Sequence, residues 1–262
     1  MYLSESIASI KEKLNAININ ELPEFIESLK NDKRMGAVKL AQTAQKKYDS
    51  YTAEMERLKA LSYYENLCRK NGFSLIAGID EVGRGPLAGP VVTAAVILNK
   101  NAMIEGVNDS KKVPAAKREK LYDIIINEAV AYSFGVVSSD EIDEINILQA
   151  TYKAMRQAIS GLGIKPDYIL ADAVTIPKID IPQQGIIKGD AKSISIGAAS
   201  IIAKVYRDRM MEKYAEIYPE YGFEDNKGYG SKFHIEAIKK HGICPIHRRS
   251  FLKNFIEAEN GF

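Results

Sequence analysis

Residues 75–98, LIAGIDEVGRGPLAGPVVTAAVIL, place two apolar runs on either side of a turn that opens with two acids and Gly-Arg-Gly. Short runs of Ile, Val, Ala and Thr bounded by Gly and Pro read as β-strands. Too few residues separate them for a crossover, so the two strands are antiparallel neighbours. Asp80 and Glu81 stand where the first strand stops. Burying ionised carboxylates without a partner is costly, so this strand end calls for something positive opposite them.

Outward from this hairpin, the texture from Phe73 onward is that of a mixed α/β domain, with β-branched runs alternating with helical segments. AVAYSFGVVS (129–138) reads as a third strand, DYILADAV (167–174) and QQGIIKGD (183–190) as two more. Helices are expected over about 145–161 and about 194–216, the second followed by the stop signals Pro219 and Gly222. Before Phe73 the chain is polar and helical: Leu40, Tyr48, Tyr51, Met55, Leu58 and Leu61 recur at three- to four-residue steps, and Asn71-Gly72 ends the run. The expected organisation is a helical N-terminal extension, 1–72, and an α/β domain, 73–262, that ends in helices.

The 262 residues carry 36 Lys and Arg against 34 Asp and Glu, a formal net charge of +2, with 46% hydrophobic and 27% charged residues. That composition excludes a disordered chain and a membrane protein. Any anionic partner must be recognised by where the charge lies, not by its total. Two cysteines, Cys68 and Cys244, make neither a disulfide framework nor a zinc site and suit a reducing compartment. The first twenty residues lack the apolar core of a signal peptide, and no run reaches the roughly 18 apolar residues of a membrane helix. The expectation is a cytoplasmic protein with no membrane partner.

Four acids share one kind of location: Asp80 and Glu81 after LIAGI, Asp172 after YILA, and Asp190 after IIKG. Strand ends are where sites gather in α/β sheets, and acids collected there repel one another unless a cation screens them. An all-oxygen set suits Mg²⁺ or Mn²⁺, and two such ions about 3.5 to 4 Å apart serve phosphoryl transfer. Asp80 is the natural bridging ligand. Adjacent strand residues face opposite ways, so Asp80 and Glu81 share a site only if the pleat breaks, as Gly83 and Gly85 favour, or if Glu81 acts through water. An Asp at a strand end also serves as a turn or helix cap. Asp109 and Asp225 are read that way, and spacing alone leaves both readings of Asp190 open.

Gly83-Arg84-Gly85 offers backbone amides and a guanidinium beside the acids, without the spacing of a phosphate-binding P-loop or a dinucleotide fingerprint. NDSKKVP (Asn108, Ser110, Lys111) and GDAKSIS (Lys192, Ser193) combine hydroxyls and ammonium groups before helices, a pattern that serves phosphate contact and helix capping alike. Residues 225–253 hold seven Lys and Arg against two acids, with all three histidines, and residues 30–47 hold six against one. Tyr229, between two glycines, is placed to stack on a base or sugar.

Taken together, GIDEVGRGPLAGPVV, NDSKK, ADA, KGDAKSISIGAASIIAK and NKGYGSKFH…HRRSF stand in the order and spacing of bacterial ribonuclease HII, which residues 73–251 resemble. The resemblance implies a ribonuclease H-like mixed sheet flanked by helices, with a C-terminal helical portion and, as in some members, a helical N-terminal extension. It implies an endonuclease, dependent on Mn²⁺ or Mg²⁺, that cuts the RNA strand of RNA–DNA hybrids and DNA containing single ribonucleotides; the chain is expected to act as a monomer. On that basis Asp80, Glu81, Asp172 and Asp190 match the family's catalytic and metal-binding acids. Gly83, Arg84 and Gly85 match its reader of the ribose 2′-hydroxyl, and Tyr229 the tyrosine that packs on the adjoining deoxyribose. One departure is Gly197, where the family more often has Ala. The alternatives are the sister family, ribonuclease HIII, which usually has Gly-Lys-Gly, a silent nucleic-acid-binding protein, and a small-molecule phosphohydrolase.

Overall fold

The computed structural model describes residues 5–252, and the chain forms two compact units, residues 1–60 and 61–262. Lys253, counted above in the basic C-terminal segment, lies outside the described residues.

The first unit is helical, as its periodicity predicts. Helix α1 (Ile7–Ala16) is capped by Ser6, whose hydroxyl accepts the Ser9 amide. Helix α2 (Leu22–Leu29) opens with a proline in its first turn, where no intrahelical donor is lost. They pack with the start of α3 (Met35–Leu61) around Ile10, Leu14, Leu22, Phe25, Leu29, Ala37 and Ala44.

The second unit begins with α4 (Tyr63–Lys70), whose Cys68 is buried with Ile76, Leu170, Ile186 and Ile196. Its sheet has five strands in the order β3-β2-β1-β4-β5. The strands are β1 (Ile76–Val82), β2 (Val91–Leu98), β3 (Ala129–Val137), β4 (Tyr168–Asp172) and β5 (Gln183–Ile186). β1 pairs antiparallel with β2 and β2 with β3, whereas β1 with β4 and β4 with β5 are parallel. The mixed sheet expected from the sequence is therefore present. β2 is buried along its whole length, which explains a run that is apolar except for Thr93.

Helices cover both faces. Ala77 and Ile79 of β1 pack with Met155, Ala158 and Ile159 of α6 (Ser139–Ser160). The opposite face of β1 meets α7 (Ile194–Ile217): a Cβ on Gly78 would stand 2.1 Å from the Ser195 carbonyl carbon, so only glycine admits that helix. α5 (Ala115–Glu128), α8 (Phe223–Asn226) and α9 (Lys232–His241) complete the unit.

Three local boundaries differ from the sequence reading. β1 starts at Ile76, because the Ser74 and Leu75 amides go to the Asp167 carboxylate. β5 stops at Ile186, because Lys188 adopts the left-handed conformation (φ 58°) and starts a tight turn at Gly189. α6 begins earlier but restarts at Asn146 (φ 66°), whose side chain accepts the Leu148 and Gln149 amides. The helix expected from about 145 is its second segment. Among the described residues no helix is long and apolar enough to cross a membrane.

Candidate active site

The parallel register places two of the acids. The β1–β4 ladder ends at Ile79 opposite Ala171, which makes Asp80 and Asp172 the next residues side by side on neighbouring strands. Both fall on the α7 face, since alternate residues of a strand share a face. The predicted break in the pleat does not occur: Asp80 pairs with Ala94, Glu81 with Thr93 and Val82 with Val92 in an unshifted ladder. Glu81 therefore leaves β1 on the other face. It still lines the same cleft, where its Oε1 accepts from Arg84 at 3.2 Å.

The cleft encloses about 870 Å³. It brings together Asp80, Glu81, Asp172, Asp190, Gly83, Arg84, Gly85, Ser110, Lys111 and Tyr229 from the residues singled out in the sequence. Asn108, Lys192 and Ser193 do not line it. Ser193 is fully buried as the N-cap of α7, accepting the Ile196 amide and donating to Glu65, so it has no surface to offer a ligand.

Electrostatics set the cleft apart. Burial pushes the Asp80 carboxyl well above the usual carboxylate range; the charges of Glu81 and Asp172 add to this, and a hydrogen bond from Ser200 opposes it. Burial also raises Glu81, against the pull of Arg84. Asp190 is raised by burial and then by Asp109 and Asp172. Among the described residues no three His, Cys, Asp or Glu side chains stand in an arrangement that would enclose an ion as they are. Glu81 is turned to Arg84, Asp172 Oδ1 takes the Gly189 amide at 2.7 Å, and Asp190 shares the cleft lining with Asp109. The donor chemistry nonetheless fits a hard divalent cation. Every donor is a carboxylate oxygen, Glu81 Oε2 is buried without a hydrogen-bond partner, and a cation would relieve the repulsion that raises three of the carboxyls.

Sequence reasoning missed several parts. Asp109 does close a turn, accepting the Lys111 amide at 3.0 Å, but it also lines the cleft beside Asp190. Ser200 and Lys204 of α7 line it too, and Lys204 is paired with Asp208 at 2.7 Å. Two arginines hold the Gly-Arg-Gly corner from behind. Arg248 donates to the carbonyls of Gly83, Arg84 and Gly89, and Arg207 to those of Ala88, Pro90 and Lys227. Both are fully buried, so Arg248 is not part of a basic surface. Burial, with Arg207 nearby, pushes the Arg248 guanidinium down to about 9, which leaves it a cation at neutral pH. C=O and N–H point in opposite directions across a trans peptide, so the amides of Arg84 and Gly85 face away from Arg248. Gly83 is required twice over: its φ is +87°, and a Cβ would lie 2.2 Å from Arg207 Nε. A sequence signal for Arg207 existed, a basic residue set inside the largely apolar IGAASIIAKVYRDRMM helix.

A mixed sheet of this order, with carboxylates at the ends of its central parallel strands and an amide-bearing corner beside them, defines a ribonuclease H-like hydrolase of nucleic acids. Residues 77–254 match the sequence model of ribonuclease HII, and residues 6–69 that of the ribonuclease HII N-terminal domain. The chain belongs to the ribonuclease HII family, whose members are endoribonucleases. It is 53% identical to ribonuclease HII of Clostridioides difficile (strain 630) over 96% of this chain and 99% of that one. Identity to the Enterococcus faecalis (strain ATCC 700802 / V583) enzyme is 50%, over 94% and 96%. Among solved structures, ribonuclease H2 from Pyrococcus horikoshii OT3 superposes with a TM-score of 0.61 at 32% identity, covering 72% of this chain and all of that one. The expected fold and family stand.

Proposed function

We propose that this chain cuts the RNA strand of RNA–DNA hybrids, and cuts DNA duplexes 5′ to single embedded ribonucleotides, leaving 3′-hydroxyl and 5′-phosphate ends. Asp80, Glu81, Asp172 and Asp190 would hold divalent cations, Mn²⁺ or Mg²⁺, with Asp80 shared between them. Bound ions supply activation of the attacking water and neutralisation of charge on the phosphate. The observation that carries the reading is the adjacency of Asp80 and Asp172 across the parallel strands, in one cleft with Glu81, Asp190 and the Gly83–Gly85 corner.

The remaining groups orient the substrate. The outward amides of Arg84 and Gly85 are donors for a ribose 2′-hydroxyl, the group that tells RNA from DNA. Tyr229, 42% exposed and close to Gly85, offers a flat face for the neighbouring sugar. Lys111 and the Ser110 turn supply phosphate contacts. We place the enzyme in the cytoplasm, acting as a monomer.

The test is a cleavage assay on three duplexes, all-DNA, one-ribonucleotide and full hybrid, with and without Mn²⁺. Cleavage is expected on the last two only, and only with the ion. Asp80→Asn or Asp172→Asn should lower kcat by about 10³-fold or more while duplex affinity stays within about threefold, because the lost interaction belongs to the transition state. Near-parental turnover in either variant would refute the assignment.

A further inference from the structure

Glu65 is a buried carboxylate that the chemistry above does not use. It lies on α4, is 1% exposed, and reaches across to the first turn of α7. Its Oε1 accepts from the Ser193 hydroxyl at 2.5 Å and from the Ser195 amide at 3.0 Å. Ser193 alone satisfies the usual capping need, since its oxygen already accepts the Ile196 amide at 3.2 Å. A second, charged cap brought from a distant helix carries a desolvation cost that capping does not demand.

The neighbouring hydrogen bonds show what that carboxylate steadies. Ser193 N and Lys192 N both donate to the Gly189 carbonyl, at 2.8 and 2.9 Å, closing the tight turn that bears Asp190. The Gly189 amide donates to Asp172 Oδ1 at 2.7 Å. One chain of contacts thus runs from Asp172 through Gly189 to Ser193 and ends on Glu65. Because a carboxylate only accepts, Glu65 takes the one hydroxyl proton of Ser193 and leaves its oxygen free for Ile196.

We propose that Glu65 is a positioning residue for Asp190: it locks Ser193, and through Gly189 fixes the turn that presents Asp190 beside Asp172. This rests on the reading of Asp190 as a metal-holding acid. It also gives part of the segment matched by the N-terminal-domain family a function in the catalytic unit, since Glu65 falls within residues 6–69.

The test uses the full chain with Glu65→Gln, Glu65→Ala and Glu65→Met, and Asp190→Asn as a control. Glutamine keeps an acceptor oxygen for Ser193 and Ser195; alanine and methionine do not, and methionine keeps the volume should alanine fail to fold. Calorimetric Mn²⁺ binding without substrate should weaken about tenfold or more in the Ala or Met variant, as when an outer support of a metal ligand is lost. kcat should fall with it while KM for the one-ribonucleotide duplex holds, and amides 189–193 should exchange hydrogen faster. Glu65→Gln should stay within about threefold of the parent in each respect. Parental Mn²⁺ affinity and amide exchange in the Ala or Met variant would overturn the inference, as would a Gln variant as impaired as they are. A parental Asp190→Asn would instead sink the underlying reading of Asp190, leaving the exchange result to decide whether Glu65 holds the turn.

Discussion

Gly197 stands where α7 passes the turn that carries Asp190. A Cβ there would lie 2.9 Å from the Asp190 carbonyl oxygen and 2.9 Å from Val107 Cγ1. Helix propensity favours Ala over Gly by up to about 1 kcal/mol, yet one of the two atoms in the way is backbone, which yields only if the turn moves. Gly197→Ala is therefore expected to leave the thermal midpoint close to the parent, with the propensity gain offset by strain. Its kcat should fall by about three- to tenfold, since small misplacements at a reacting site are expensive in rate. A clear rise in midpoint with unchanged kcat would show that the turn accommodates the methyl group at no cost.

At the scale of elements, α9 and the segment after it hold the Tyr229 turn through two buried histidines. His234 Nδ1 faces the Tyr229 carbonyl at 2.8 Å and must donate to it. Its Nε2 then accepts from His247 Nε2 at 3.0 Å, and His247 Nδ1 accepts the Cys244 amide at 2.9 Å. Every ring nitrogen is used, and both rings must be neutral. Burial, with the neighbouring ring of His234, pushes His247 down to about 4 from an ordinary 6.5, and burial also lowers His234. Between those two pH values the unfolded chain binds a proton that the folded chain refuses. The stability that His247 contributes is thus present above about 6.5 and is lost as pH falls through about 4. The His247 ring signals should titrate near 4, and acidification from pH 6.5 to 5 should lower the midpoint more in the parent than in His247→Phe. The raised carboxyls act with the opposite sign but are common to both proteins, so the difference isolates the histidine; equal slopes would mean that the ring is not held neutral. None of this was legible in the sequence, where three histidines among lysines read as a basic surface. The hairpin of residues 75–98 and its two acids were legible, because apolar alternation and misplaced charge are local signals. The parallel rung that joins Asp80 to Asp172, the carbonyls that bury Arg207 and Arg248, and the second use of Asp109 depend on contacts made by distant parts of the chain. The predicted pleat break also failed, since Glu81 lines the cleft from an unbroken strand.

For the whole molecule the question is where a nearly neutral chain finds the charge to hold a polyanion. Residues 1–60 contain ten Lys and Arg against nine Asp and Glu, so the first unit is as balanced as the whole. Within the basic run 30–47, Lys30 is paired with Glu27 and Arg34 with Asp32. Lys33, Lys39, Lys46 and Lys47 are exposed, and on α3 Lys39 lies about two turns before the adjacent Lys46 and Lys47. In the C-terminal segment burial removes Arg248, His234 and His247 from the surface, and Lys227 is engaged by Glu212. The basic surface anticipated there is correspondingly smaller, which leaves the first unit a larger share of any phosphate contacts. Each contact contributes about 0.9 to the slope of log affinity against log salt. A chain lacking residues 1–60 keeps α4, and with it Glu65 and the packing of Cys68, because the second unit begins at Leu61. Binding of a one-ribonucleotide duplex by that chain, measured from 50 to 200 mM salt, should show a slope shallower by about two to four. Its kcat at saturating duplex should be close to parental, because the four acids and the corner beside them all belong to the second unit. An unchanged slope would assign every phosphate contact to the second unit and leave the lysines of α3 as a solvated helix face.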